Sequence, residues 1–116
     1  KEQKNIFDLL VKTVKEATQR AKTGSLNTAL DHFARKKIEK AGFGDLFLHS
    51  LGHGVGLEVH EGLNLSSRAL RKAKLLTSEV ITIEPGVYFE GKWGMRIEDT
   101  IIVNRSGGKC LTKVRY

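Results

Sequence analysis

Residues 79–104, EVITIEPGVYFEGKWGMRIEDTIIVN, hold two short β-branched runs, EVITIEPGVYF and MRIEDTIIVN, whose side chains alternate with the two-residue period of a strand. In the first run Thr82 and Glu84 share one face, with Ile81 and Ile83 on the other; in the second, Glu98 shares a face with Arg96 and Thr100, and Asp99 points the opposite way. If the two runs pair, with residues 85–95 as a long hairpin connection, two carboxylates come close on one side of the sheet. Like charges in that position repel and raise one pKa, unless a cation or Arg96 stands between them. Two readings follow from parity alone. Glu84 and Glu98 hold a metal ion together with a histidine, or they are surface glutamates bridged to Arg96 or Lys92.

A supply of imidazole lies upstream. The run HSLGHGVGLEVHEG, residues 49–62, contains three histidines and four glycines. Helical spacing would align His49 with His53, but Gly52, Gly54 and Gly56 each disfavour a helix by ~1 kcal/mol relative to alanine, so the segment is expected to be extended or looped. His60-Glu61 is followed by Gly62, Leu63 and Asn64, so the H-E-x-x-H pattern of zinc proteases is not met. Glycines flanking His53 suit close backbone approach. Carboxylates and a histidine nitrogen together suit Mn, Co, Fe or Zn.

Two amphipathic helices precede this region. Ile6, Leu9, Leu10, Val14, Ala17 and Ala21 recur at helical spacing, KTGS interrupts, Ser25 is the expected N-cap, and Leu30, Phe33, Ala34, Ile38 and Ala41 form a second stripe ending at Gly42. His32, beside Phe33, is assigned a structural place. RALRKAK (68–74) reads as a loop or one exposed turn, RSGGK as a turn, and CLTKVRY as a last strand. The architecture expected is α+β: two N-terminal helices followed by an antiparallel sheet, in one domain over residues 1–116.

Composition removes several classes. The 116 residues carry a net charge of +7, with one proline and one cysteine. Residues 1–45 hold ten Lys/Arg against six acids and residues 46–116 ten against seven, so the excess is spread rather than gathered, and no nucleic-acid partner is expected. No apolar run has the length of a membrane span, and KEQKNIFDLL lacks the apolar block of a secretory signal, so a cytoplasmic location and no membrane partner are expected. Cys110, alone, forms no intrachain disulfide and is read as a strand residue.

In this order and spacing, HSLGHGVGLEVHEG, TIEPGVYF and GMRIEDTIIV resemble the C-terminal half of the pita-bread metallopeptidases: Xaa-Pro aminopeptidases, Xaa-Pro dipeptidases, creatinase and methionine aminopeptidases. RIED together with LEVHEG points to the Xaa-Pro branch. The resemblance implies that His53, Glu84 and Glu98 are metal ligands and that His60 contacts the substrate. It further implies that His49 is an additional substrate-side histidine and that Arg96 organises the metal-site carboxylates. The implied reaction is metal-assisted hydrolysis of the bond before proline, with Glu84 relaying protons.

The sequence also departs from that pattern. The complete site of the family holds two divalent ions and needs two more aspartates, donated by an adjacent pair of strands ahead of the first helix. Asp8, Asp31, Asp45 and Asp99 do not stand in that context, and the proline usual after HE is replaced by Leu63-Asn64. The expectation is a partial domain, a fragment of a peptidase whose substrate is a proline-containing peptide. By itself it should be inactive, bind at most one Mn, Co or Zn ion weakly, and self-associate or pair with the missing N-terminal half. The second reading is a non-catalytic pita-bread-like module that binds a peptide or a protein partner.

Overall fold

The computed structural model describes residues 1–112. Helix α1 spans Glu2–Arg20 and α2 spans Asn27–Lys40. A 3-10 turn over Gly44–Leu46 leads into seven strands: β1 Gly52–His53, β2 Asn64–Leu65, β3 Val80–Ile83, β4 Gly86–Phe89, β5 Trp93–Arg96, β6 Asp99–Ile102 and β7 Lys109–Cys110. All strand pairings are antiparallel, β1 with β2, β4 with β5, and β6 between β3 and β7. The α+β architecture of two helices followed by antiparallel sheet is thus observed. Of the expected last strand, residues 113–116 lie outside the described residues and Cys110 stands in β7, which also takes in Lys109 of the expected turn.

The apolar stripes of the helices meet the sheet as their spacing requires. Ile6, Leu10, Val14, Ala17 and Ala21 of the first helix segment and Leu30, Ala34 and Ile38 of α2 are buried against Ile81, Ile83, Val87, Ile101 and Val103. Three stripe positions differ from expectation: Leu9 and Phe33 are half-buried, and Ala41 caps α2 from an exposed position. Past Ala41, Gly42 takes φ +93°, with its N–H bonded to Glu39 O at 2.9 Å and that of Phe43 to Ile38 O at 3.0 Å. This paired closure of the last carbonyls ends the helix where the glycine predicted.

The N-terminus of α2 corrects the sequence reading. Ser25 is not its cap, because its hydroxyl donates back to Arg20 O at 3.0 Å, and Leu26 occupies the capping position without a side-chain bond. The chain instead pairs with residues 73–75: Leu75 N–H donates to Ser25 O at 2.7 Å and Asn27 N–H to Ala73 O at 3.0 Å. A helix amide that a cap would have satisfied is satisfied by neighbouring backbone. His32 is exposed on α2, and the ring of its neighbour Phe33 lies under the Arg20 guanidinium at 4.0 Å.

The hairpin at 79–104 is longer than expected. Ile83 faces Asp99 on one side of a short interruption and Gly86 faces Arg96 on the other, so one register runs through both ladders. Residues 85–95 are therefore no open connection. They form most of a paired hairpin, β4–β5, that turns over residues 90–92. The ladder lapses at Pro85, which has no N–H, although Ile97 N–H still donates to Pro85 O at 3.2 Å.

A second buried feature of α2 is polar. Asn27, Asp31 and Arg35, four residues apart, form a stripe on which Asn27 and Asp31 are fully buried. The Asn27 amide donates to Asn64 O at 3.0 Å and Arg71 O at 2.9 Å and accepts from Ala73 N–H at 3.0 Å. Asp31 accepts from Leu51 N–H at 2.9 Å, Ser67 N–H at 3.1 Å, and Arg35 Nε and Nη2 at 3.0 and 3.1 Å. Burial acts to raise the Asp31 pKa, but the Arg35 guanidinium and the Ser67 amide outweigh it and hold the group below its ordinary value.

A carboxylate depressed in the folded state stabilises fully above its unfolded pKa of ~3.9, and that contribution disappears as pH falls through the folded value. The urea midpoint is therefore expected to drop in acid below about pH 4, and to drop less in Asp31→Asn. At neutral pH Asp31→Ala leaves Arg35 without its buried partner and is expected to cost ~3–5 kcal/mol. A wild-type midpoint in Asp31→Ala would show that the carboxylate does not hold the loops.

Candidate metal centre

Because the register is unbroken, Glu84 and Glu98 are set opposite each other across the hairpin. Their face continues with Thr82, Thr100, Gly86, Arg96, Tyr88 and Gly94, whereas Ile81, Ile83, Pro85, Val87, Ile97 and Ile101 point into the core. The carboxylates sense each other. Desolvation first, then the charge of Glu84, pushes the Glu98 pKa up, with Arg96 and His53 acting against it. Arg96, facing Gly86, is exposed and close enough to lower both Glu98 and Tyr88.

The histidine segment folds over this face as a loop, not a helix. β1 lies along β3, with Gly54 bridged to Ile81 and the His53 N–H donating to the Thr82 hydroxyl at 3.1 Å. A Cβ at Gly52 would collide with the Thr82 carbonyl, so only glycine lets the strands approach this far. The approach carries His53 to Glu84, with Nε2 3.5 Å from a carboxylate oxygen. His53 Nδ1 lies 2.8 Å from Gly54 O, and since a carbonyl only accepts, Nδ1 carries a proton and Nε2 is the ring nitrogen turned toward Glu84.

His60 stands on the exposed part of the 55–62 loop, its ring 4.0 Å from that of His53. His49 is placed differently. Its Nδ1 is 2.8 Å from Ser50 O and its Nε2 is 2.7 Å from the Tyr88 hydroxyl, so both ring nitrogens are engaged within the chain. The Tyr88 ring lies across Gly86 and Gly94, where any side chain would collide with it. Its pKa is raised by burial, Arg96 opposing and Glu84 adding, so the phenol is a donor at neutral pH. Trp93 lies on the other face against Phe89, with ring centroids 4.7 Å apart.

The donors fit a divalent cation in kind: an imidazole lone pair and two hard, mutually repelling carboxylates. Among the described residues, however, no group of three His, Cys, Asp or Glu side chains surrounds a common point closely enough to hold an ion unaided. His53 and Glu84 are brought together, Glu98 is beside Glu84, and His60, Arg96 and the His49–Tyr88 pair border them. From sequence Tyr88 reads equally as sheet packing or as pocket wall; its even parity with Glu84 and Glu98 is visible there, but its partner His49 is not. Thr82, which docks His53, was read only as a face-mate of Glu84.

Comparison with known proteins gives this arrangement a context. The chain is 44% identical over 111 residues to the Xaa-Pro dipeptidase of Pyrococcus furiosus, covering 96% of this chain and 31% of that protein. It is 44% identical over 113 residues to an uncharacterized peptidase of Staphylococcus epidermidis, covering 32% of it. The solved structure of the prolidase from Pyrococcus furiosus superposes with a TM-score of 0.94 at 42% identity, over the whole of this chain and 34% of that one. The X-Pro aminopeptidase of Thermotoga maritima gives 0.91 at 40%, over 98% and 32%. The chain thus spans about a third of the length of the relatives it matches. The pattern of metallopeptidase family M24 matches residues 1–105, and with these relatives and this fold the chain belongs to that family.

Proposed function

We propose that this chain is the part of a metal-dependent Xaa-Pro peptidase that supplies one side of the catalytic centre, acting on peptides with proline in the second position. The observation that carries this reading is His53 directed by Gly54 and docked by Thr82 so that its Nε2 meets Glu84, with Glu98 opposite. His53, Glu84 and Glu98 would hold the ion, which in such centres polarises a carbonyl and supplies hydroxide near neutral pH. Glu84 and Glu98 repel in its absence, so the chain is set to take up positive charge. His60, exposed beside His53, would touch the substrate, and Arg96 would balance the carboxylates. Tyr88, held protonated, is a fixed donor on the same face.

A non-catalytic, peptide- or protein-binding module is the second reading, and the lack of a self-sufficient three-donor group among the described residues favours it. Metal binding separates the two. Millimolar Mn, Co or Zn should raise the melting temperature, since a ligand specific to the folded state adds RT ln(1 + [L]/Kd), ~2.7 kcal/mol at a hundredfold excess over Kd. Glu98→Ala should lose this response and His60→Ala should keep it. An unchanged melting temperature with metal, or a full response in Glu98→Ala, refutes the assignment.

For the polypeptide by itself, hydrolysis of Xaa-Pro dipeptides with any of these metals is expected to be undetectable, because aspartates for a second ion are not in place. Robust turnover would overturn that. Leu57, Val59 and Leu76 are 105%, 72% and 63% exposed around the histidine loop and the 76–80 segment. We propose that a second copy covers this apolar surface when the chain is alone. Sedimentation velocity should then show mass increasing with concentration, and a monomer throughout the range would exclude it.

A further inference from the structure

We propose that Arg35, on α2, is a positioning residue for His49, setting where that imidazole and Tyr88 stand beside the carboxylates. The proposal deepens the reading of residues 49–98 as one side of a peptidase centre. It concerns a residue no site motif contains.

The guanidinium uses its donors on three partners. Nε and Nη2 bond to the Asp31 carboxylate at 3.0 and 3.1 Å, Nη1 donates to Phe47 O at 2.9 Å, and Nη2 donates to His49 O at 2.8 Å. The plane also lies over the Phe47 ring, 4.1 Å from its centroid. Phe47 is 3% exposed and meets the His49 ring edge-on at 5.2 Å, and His49 meets Tyr88 at 5.4 Å. Arg35 therefore acts on His49 by two routes, directly on its carbonyl and through Phe47 on its ring. Asp31 fixes the far end of the same segment at Leu51 N–H.

This geometry needs arginine in particular. A lysine ammonium is a compact point charge and cannot span a carboxylate and two carbonyls while stacking on a ring. Backbone pairing of this segment begins at Leu51, and among the described residues the carbonyls of Phe47 and His49 receive no backbone N–H that would hold them if the fork is lost. The side-chain consequence is specific. His49 keeps its proton on Nδ1 while Ser50 O stays aligned with that nitrogen, and Nε2 is then the atom that meets the Tyr88 hydroxyl.

Histidine-selective 15N labelling of the chain reads this directly, without turnover. In the wild type His49 should give one protonated-type Nδ1 and one lone-pair-type Nε2 resonance, and His53 a protonated-type Nδ1 resonance. In Arg35→Lys the His49 pair should move toward a common averaged position while His53 Nδ1, held by Gly54 O, keeps its protonated-type resonance. A His49 pair that remains split, or equal averaging of both histidines, overturns the proposal. Tyr88→Phe provides a second test that does not depend on how Arg35→Lys folds. Removing the Tyr88 hydroxyl should leave the His49 Nδ1–H tautomer in place, and its loss would assign the positioning to Tyr88 instead. Because no arm measures peptide hydrolysis, a failure of the peptidase reading would leave these spectra unchanged and be recognised separately.

Discussion

The fold turns on a carboxylate with no solvent exposure. Asp31 sits on a helix, yet its four bonds reach the backbone at Leu51 and Ser67, residues that flank the histidine loop in sequence, as well as Arg35 one helical turn on. Taking a charge out of water is unfavourable by several kcal/mol, and only a full set of partners offsets it. That requirement makes the contact selective: the loops must close on α2 in one arrangement, or the charge is stranded. Asn27 repeats the logic with a neutral amide, tying residues 64–73 to the same helix.

On that support the chemistry is assembled by strand parity. The even residues from Thr82 to Gly94 and on to Thr100 make one surface and the odd residues make the core, so every chemically active side chain of the hairpin arrives on one side without special backbone geometry. The histidines need more. His53 reaches Glu84 only because Gly52 lets β1 settle onto Thr82. Tyr88 reaches His49 only because Gly86 and Gly94 leave its ring a flat bed. Glycine on this face is where room was made for rings.

Much of this is written locally and could be read from the sequence. The helical stripes, the stop at Gly42, the alternation that brings Glu84 and Glu98 together and the looped histidine segment all depend on periods of two or about four residues, or on one glycine. What escaped depends on distance along the chain. Ser25 looks like a cap, but the partner that makes a cap unnecessary is Ala73, far downstream. Asp31 and Arg35 look like an ordinary exposed i, i+4 pair until Leu51 and Ser67 close over them. Pro85 reads as a strand breaker, and only the shared register on both sides shows that the hairpin carries straight through it.

That unbroken register has a consequence for folding fidelity. Sliding one strand of the 80–102 hairpin by a single residue would turn its side chains over, sending Glu98 or Glu84 into the layer of Ile81, Ile83 and Ile101 and turning isoleucines out to water. The misaligned hairpin would bury a bare charge, while a two-residue slip would part the two glutamates and set Tyr88 against a side chain in place of Gly94. The residues that make the centre reactive are thus also the ones that tell a correct hairpin from a shifted one, and chemistry and proofreading rest on the same alternation.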